Sequence, residues 1–171
     1  MRIYLIGYMY SGKSTVGRQL AQSLGYQFAD LDQLFESHYR TSIPLFFRRY
    51  GEAAFRQLEQ IVLHTTEKAD DIVVSTGGGT PCYADNMDWI NTHGLSVFLN
   101  IGIERIIERH QHSRKTRPLL AGKTQEELHK FIEDQLEKRM PFYSQAHIDL
   151  TTDPIDFDAL LLDIQKHADC L

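Results

Sequence analysis

The chain is poor in the features that build several classes of protein. Cys82 and Cys170 are its only two cysteines, too few for a disulfide framework and without metal-ligand spacing, which suits a reducing compartment. No run approaches the roughly 18 apolar residues of a membrane span, and the apolar stretch before Ser11 is too brief for a signal peptide. A cytoplasmic protein away from the membrane is expected. Positive charge is short as well, with 18 Lys and Arg against 23 Asp and Glu for a formal net charge of −5. With no overall positive field to hold nucleic acid, the expected partner is a small molecule. Linkers rich in Pro, Gly or Ser, internal repeats and low-complexity tracts are all lacking, so 171 residues are expected to form a single domain, 1–171, acting as a monomer.

What is present begins at Gly7. Gly7-Tyr8-Met9-Tyr10-Ser11-Gly12-Lys13-Ser14-Thr15 fits the spacing G-x-x-x-x-G-K-[ST] and follows the apolar, strand-like run Ile3 to Ile6. In such a phosphate-binding loop successive backbone N–H groups curl around an anion, Lys13 reaches the β- and γ-phosphates, and the Ser14 hydroxyl sits on Mg²⁺. The next residues, 14–24, read as a helix whose positive end faces the same anion. Tyr10, Ser11, Gly12, Lys13, Ser14 and Thr15 are therefore expected to bind a nucleoside triphosphate, with ATP as co-substrate.

Five apolar or β-rich runs, 2–6, 26–29, 71–75, 95–100 and 147–151, alternate with helical patterns. The helical stretches are 14–24, one starting near Asp32, 52–68, 84–92, 103–108, 124–143 and one with Phe157, Leu160, Leu161, Ile164 and Ala168 on a single face. In 52–68 the expected buried stripe is Phe55, Leu58, Ile61 and Val62. Thr124 with Glu127 looks like a capping box. This alternation predicts an α/β fold, a mostly parallel sheet covered on both faces with ligands at the carboxyl ends of its strands.

The second strand runs into Asp30-Leu31-Asp32. Alternate residues at a strand end face one side, so both carboxylates are candidates for the crevice, one for magnesium and one for a hydroxyl substrate; helix capping is the competing role. The third strand ends at Gly77-Gly78-Gly79 with no Asp, where many phosphate-loop proteins place an acidic magnesium partner. Asp30 is then the better candidate, with Ser14, for the metal, acting through water. Three successive glycines imply close approach of the backbone to something, here a substrate ring.

Between Arg109 and Lys123 lie five basic residues and no acidic one, in a stretch without periodicity; residues 110–123 are expected to form a lid over the triphosphate. Arg117 is the candidate for the transferring phosphoryl group and Arg109 for the adenine. Arg56 and Arg139 lie on expected helices beside Glu52, Glu59 and Glu137, and periodicity alone reads them as exposed ion pairs.

Taken together, the phosphate loop, Asp30-x-Asp32, Gly51-Glu52-Ala53-Ala54-Phe55-Arg56, Gly77-Gly78-Gly79, Arg117-Pro118-Leu119-Leu120 and Arg139-Met140-Pro141-Phe142-Tyr143 resemble the shikimate kinases in order and spacing across essentially the whole chain. The resemblance implies a three-layer P-loop kinase fold, a five-stranded parallel sheet in order 2-3-1-4-5, and transfer of the γ-phosphoryl of ATP to the 3-hydroxyl of shikimate with Mg²⁺. By matching positions it implies that Lys13, Asp32 and Arg117 are catalytic. Asp32, Arg56, Arg139 and Gly77, Gly78 and Gly79 would bind shikimate, Phe47 and Phe55 would line its pocket, and residues 31–63 would form the substrate-binding segment. Tyr8 and Tyr10 depart from the smaller residues more common in the family's loop. After the fifth strand, Pro154 offers the adenine an apolar contact where many members have an Arg. The rival readings are a kinase for another small hydroxy compound, such as gluconate or a nucleotide, and a non-catalytic nucleotide sensor.

Overall fold

The computed structural model describes residues 1–113, 122–151 and 154–168. Five strands form one parallel sheet: β1 (Arg2–Ile6), β2 (Gln27–Asp30), β3 (Ile72–Ser75), β4 (Leu95–Leu99) and β5 (Ile148–Leu150), in the spatial order β2-β3-β1-β4-β5. The three inner strands are apolar along nearly their whole length and buried on both faces, as a parallel sheet covered by helices requires. Neighbouring side chains of β1 divide the core: Ile3 and Leu5 pack with Val16, Leu20, Val97, Leu160 and Ile164, while Tyr4 and Ile6 pack with Phe35, Phe55, Val74, Phe98 and Tyr143. This period of two is what a pleated strand imposes.

Seven helices are described: α1 (Lys13–Leu24), α2 (Leu31–Tyr39), α3 (Ile43–Thr65), α4 (Asn86–His93), α5 (Ile103–His112), α6 (Gln125–Tyr143) and α7 (Phe157–Ala168). Their ends follow local chemistry. Asp30 caps α2 through backbone donors Asp32 and Gln33, Ser42 caps α3, and Thr124 with Glu127 forms the expected capping box of α6. A third cluster, Tyr8, Ile106, Ile107, Leu128 and Ile132, packs α5 and α6 against the start of the phosphate loop.

Several elements differ from the sequence expectation. The third helix does not begin at Glu52 but at Ile43, and it is broken by Gly51 at φ 80°, ψ 174° into two arms; the glycine that interrupts the helical periodicity is a hinge inside one element. Ile61 is 53% exposed rather than part of the buried stripe, whose members are Phe55, Glu59, Val62 and Leu63. α5 runs on to His112, so residues 110–112 of the expected lid are helical, and 114–121 lie outside the described residues. Asp32 stands in the first turn of α2 rather than on a strand.

Candidate active site

Because all five strands run parallel, Gly7, Asp30 and Thr76 emerge together at one edge of the sheet. The loop from Gly7 to Gly12 closes on itself through Ser11 N–H to the Tyr8 carbonyl, 3.2 Å. Gly12 enters α1 at φ 97°, and no side chain caps this end and no acidic residue lies in its first turn. A helix start of this kind presents donors and a positive partial charge to an anion. The Lys13 ammonium, 8% exposed, donates to the carbonyls of Gly7 and Tyr8, each at 2.7 Å. It therefore spans the loop from inside. Ser11 is buried and Thr15 exposed at the start of the helix.

Ser14 Oγ donates to Asp30 Oδ2 at 2.7 Å and lies 3.3 Å from Ser75 Oγ. The other Asp30 oxygen caps α2. Of the roles weighed for Asp30, helix capping is formed through Oδ1, while Oδ2 is engaged by the Ser14 hydroxyl. Across the loop, Arg109 Nη1 donates to the carbonyls of Ser11 (2.8 Å) and Tyr10 (3.2 Å), and the Tyr10 ring lies 5.2 Å from that of His110. Tyr10 adopts φ 62°, a left-handed conformation that costs a non-glycine residue about 1–2 kcal/mol. The end of α5 is in this way fastened to the back of the loop.

The glycine turn after β3 sits between this loop and two guanidinium groups. A methyl group added at Gly78 would stand 3.1 Å from Arg139 Nη1 on one side and 3.4 Å from the Gly7 carbonyl on the other. One added at Gly79 would collide with the Arg56 guanidinium; one at Gly77 would stand 2.7 Å from Glu59 Oε1 and 3.5 Å from Asp32 Oδ1. None of the three has a positive φ, so closeness of approach, and not backbone freedom, accounts for glycine here. Arg56, Arg139 and Asp32 thereby converge on one turn that also touches the phosphate loop.

Arg56 and Arg139 are held very differently. Arg56 Nη1 donates to Glu59 Oε2 at 2.6 Å, and Nη2 lies 3.4 Å from Glu52 Oε1. Glu59 is 2% exposed and its other oxygen accepts from Thr80 Oγ1 at 2.7 Å. Burial pushes the Glu59 carboxyl upward, against the lowering effect of Arg56 and Thr80. Arg139 Nη2 donates to the neutral Gln135 at 3.3 Å and its guanidinium lies over the Tyr8 ring, 5.1 Å from the centroid. Phe55 is buried and stacks at 4.6 Å on Phe47, itself half-buried. The pair forms an aromatic wall next to Arg56, whose guanidinium is 5.2 Å from the Phe55 ring.

The chain as a whole has close relatives. A sequence model of the shikimate kinase family matches residues 9–162. The shikimate kinase of Parabacteroides distasonis is 44% identical over 147 residues, covering 86% of this chain and 85% of that protein. The chain belongs to the shikimate kinase family. Its structure superposes on the crystal structure of the Bacteroides thetaiotaomicron shikimate kinase with a TM-score of 0.87 at 38% identity, covering 99% of this chain and 97% of that one. The Acinetobacter baumannii shikimate kinase, solved in complex with shikimate, gives 0.79 at 36% identity over 88% and 83% of the two chains. A Sinorhizobium meliloti gluconokinase shares only the fold, with a TM-score of 0.62 at 18% identity.

As a member of the shikimate kinase family the chain has the expected three-layer fold, and most of the site residues inferred from its sequence stand at one edge of the sheet. Two do not add to that picture. Arg117 falls outside the described residues, and Pro154 is exposed in the connection after β5. Of the helical ion pairs read from periodicity alone, those of Arg56 with Glu52 and Glu59 form, though not as fully exposed pairs, and among the described residues Arg139 forms none. Glu59 is buried, and Arg139 bonds Gln135 rather than Glu137. Glu59 and Thr80 were missed as parts of the site. A signal for Glu59 existed: it falls four residues after Phe55 and three before Val62, on the face that the apolar residues mark as buried. No comparable pattern marks Thr80, which follows the glycines in a short turn.

Proposed function

We propose that the protein transfers the γ-phosphoryl group of ATP to the 3-hydroxyl of shikimate, giving shikimate 3-phosphate and ADP. The observation that carries this reading is the turn at Gly77 to Gly79, which touches the phosphate loop through Gly78 while Asp32, Arg56 and Arg139 close on it from the other side. Two guanidinium groups at one turn suit an anionic acceptor, and a planar carboxylate meets them well because a guanidinium grips it through paired hydrogen bonds.

In this reading the phosphate loop and Lys13 hold the triphosphate, and Arg56, Arg139 and the glycine turn fix the acid and its ring against Phe47 and Phe55. Asp32 orients the acceptor hydroxyl and takes its proton late. A loose phosphoryl-transfer transition state asks mainly for alignment and charge stabilisation, and Arg117 is assigned to the equatorial oxygens. The hydroxyl of Ser14 and the carboxylate of Asp30 are hard oxygen donors set side by side, the type magnesium accepts while keeping several waters. They would hold Mg²⁺, which when bound neutralises charge on the phosphate oxygens. Residues 1–171 act as one domain in this account, with 31–63 as the substrate-binding segment and 110–123 as the lid. The protein acts as a monomer in this account, and the free thiol of Cys82 suits the cytoplasm.

A coupled assay of ADP release tests the proposal with shikimate, gluconate, a nucleoside monophosphate or no acceptor. Release that depends on shikimate supports it. Release that is indifferent to shikimate, or that follows another acceptor, overturns it.

A further inference from the structure

Arg139 is a cation held, among the described residues, by neutral groups alone. Among the described residues its contacts are Gln135, the Tyr8 ring and the Tyr143 region, and no carboxylate pairs with it, whereas Arg56 has Glu52 and Glu59. An arginine meant to receive a carboxylate gains from this arrangement, since a protein carboxylate that oriented it would also compete for it. Tyr8 is the group that can orient without neutralising. It is 1% exposed, seated in the cluster of Ile106, Ile107, Leu128 and Ile132, and its ring lies 5.1 Å from the Arg139 guanidinium carbon. The π face attracts a cation within about 6 Å and leaves its charge available.

The phenol itself has no other evident work. The Tyr8 hydroxyl is buried with no hydrogen-bond partner among the described residues, an arrangement that costs about 1–3 kcal/mol of desolvation. The contact that Tyr8 makes with Arg139 is through the ring. Tyr8 is also part of the phosphate loop, and its carbonyl accepts from Lys13 at 2.7 Å. One residue thus touches the nucleotide lysine through its backbone and the acceptor arginine through its side chain.

We infer that Tyr8 is a positioning residue for the acceptor: its ring holds Arg139 in place for the substrate carboxylate and ties that guanidinium to the phosphate loop. The inference rests on the shikimate kinase reading above, and wild-type turnover of shikimate is checked first, so a failure of that reading is recognised separately.

The test is steady-state kinetics of Tyr8→Phe, of Tyr8→Leu and of 3,4,5-trifluorophenylalanine incorporated at position 8, with thermal melts beside them. The fluorinated ring keeps the shape and drains the π face, which keeps the test sound where Tyr8→Leu folds poorly. The expected result is a shikimate KM within about twofold of wild type for Tyr8→Phe, and roughly tenfold higher for Tyr8→Leu and the fluorinated ring, a factor in the range a desolvated cation–π contact supplies. ATP KM and kcat are expected to move much less. With an acceptor whose carboxylate is replaced by hydroxymethyl, the differences among the variants should vanish. Equal shikimate KM for the phenylalanine and trifluorophenylalanine proteins would overturn the inference, and so would a loss that is the same for both acceptors.

Discussion

Asp32 is assigned to the acceptor and Lys13 to the nucleotide, and their removal separates binding from chemistry. Asp32→Asn keeps the shape and removes the proton acceptor, so kcat is expected to fall by about 10²–10⁴ with ATP KM nearly unchanged. Lys13→Ala should raise ATP KM and lower kcat together, because it removes both a phosphate ligand and the donor that spans the loop. Equal, small effects on steady-state rates would contradict both assignments. Arg139→Lys keeps the charge and loses the fork, and shikimate KM is expected to rise roughly tenfold, the scale of one charge-assisted hydrogen bond; an unchanged KM removes Arg139 from the acceptor site. At this scale the sequence was informative where function depends on a motif, as in the loop and the Asp30-x-Asp32 pair. It was silent where function depends on packing. Glu59 reads as one more charge near Arg56, its place on the apolar face of the helix hints at burial, and packing shows that it fixes that arginine. Tyr8 reads as an oddity of the loop, and only the approach of α6 gives its ring an occupation.

Among the elements, α3 owes its shape to Gly51. At φ 80°, ψ 174° the residue occupies a region open essentially to glycine alone, and nothing lies within 4 Å of where a Cβ would stand. Gly51→Ala should therefore act by strain and not by collision, lowering stability by about 1–3 kcal/mol in urea unfolding. It should also raise shikimate KM, since Phe47 and Phe55 meet across that bend. No change in either would mean that the bend relaxes freely. The start of β5 carries a pH dependence. His147 Nδ1 accepts from the Ser96 backbone N–H at 3.2 Å and lies 3.0 Å from the Ser96 hydroxyl. Burial, with a smaller push from His167, holds its pKa below the ordinary histidine value. The folded chain then binds fewer protons than the unfolded one, so this stabilisation is whole above pH ~6.5 and is lost as pH falls through the lowered folded value. Between pH 7.5 and 5.5 wild-type Tm should drop more than that of His147→Asn; parallel curves would contradict the assignment. Element positions were legible because apolar runs and caps are local signals, and the α6 capping box is a clear case. The first arm of α3 was not, because Ile43 to Gly51 mixes aromatics and arginines without a clear stripe and its amphipathic face appears only against Phe35.

For the whole molecule, a parallel sheet delivers the loop after β1, the carboxylate after β2 and the glycine turn after β3 to one edge, and helices α3 and α6 bring arginines across to meet them. The sequence order of these pieces disclosed the family, while their convergence is a property of the fold. The central claim is that the two half-sites share one reaction. Phosphorus NMR of the protein with ATP, Mg²⁺ and shikimate tests it most directly, by counting products. The account predicts one new phosphate ester on the acceptor for each ADP formed, with little inorganic phosphate. ADP accompanied by inorganic phosphate and unchanged shikimate would contradict it.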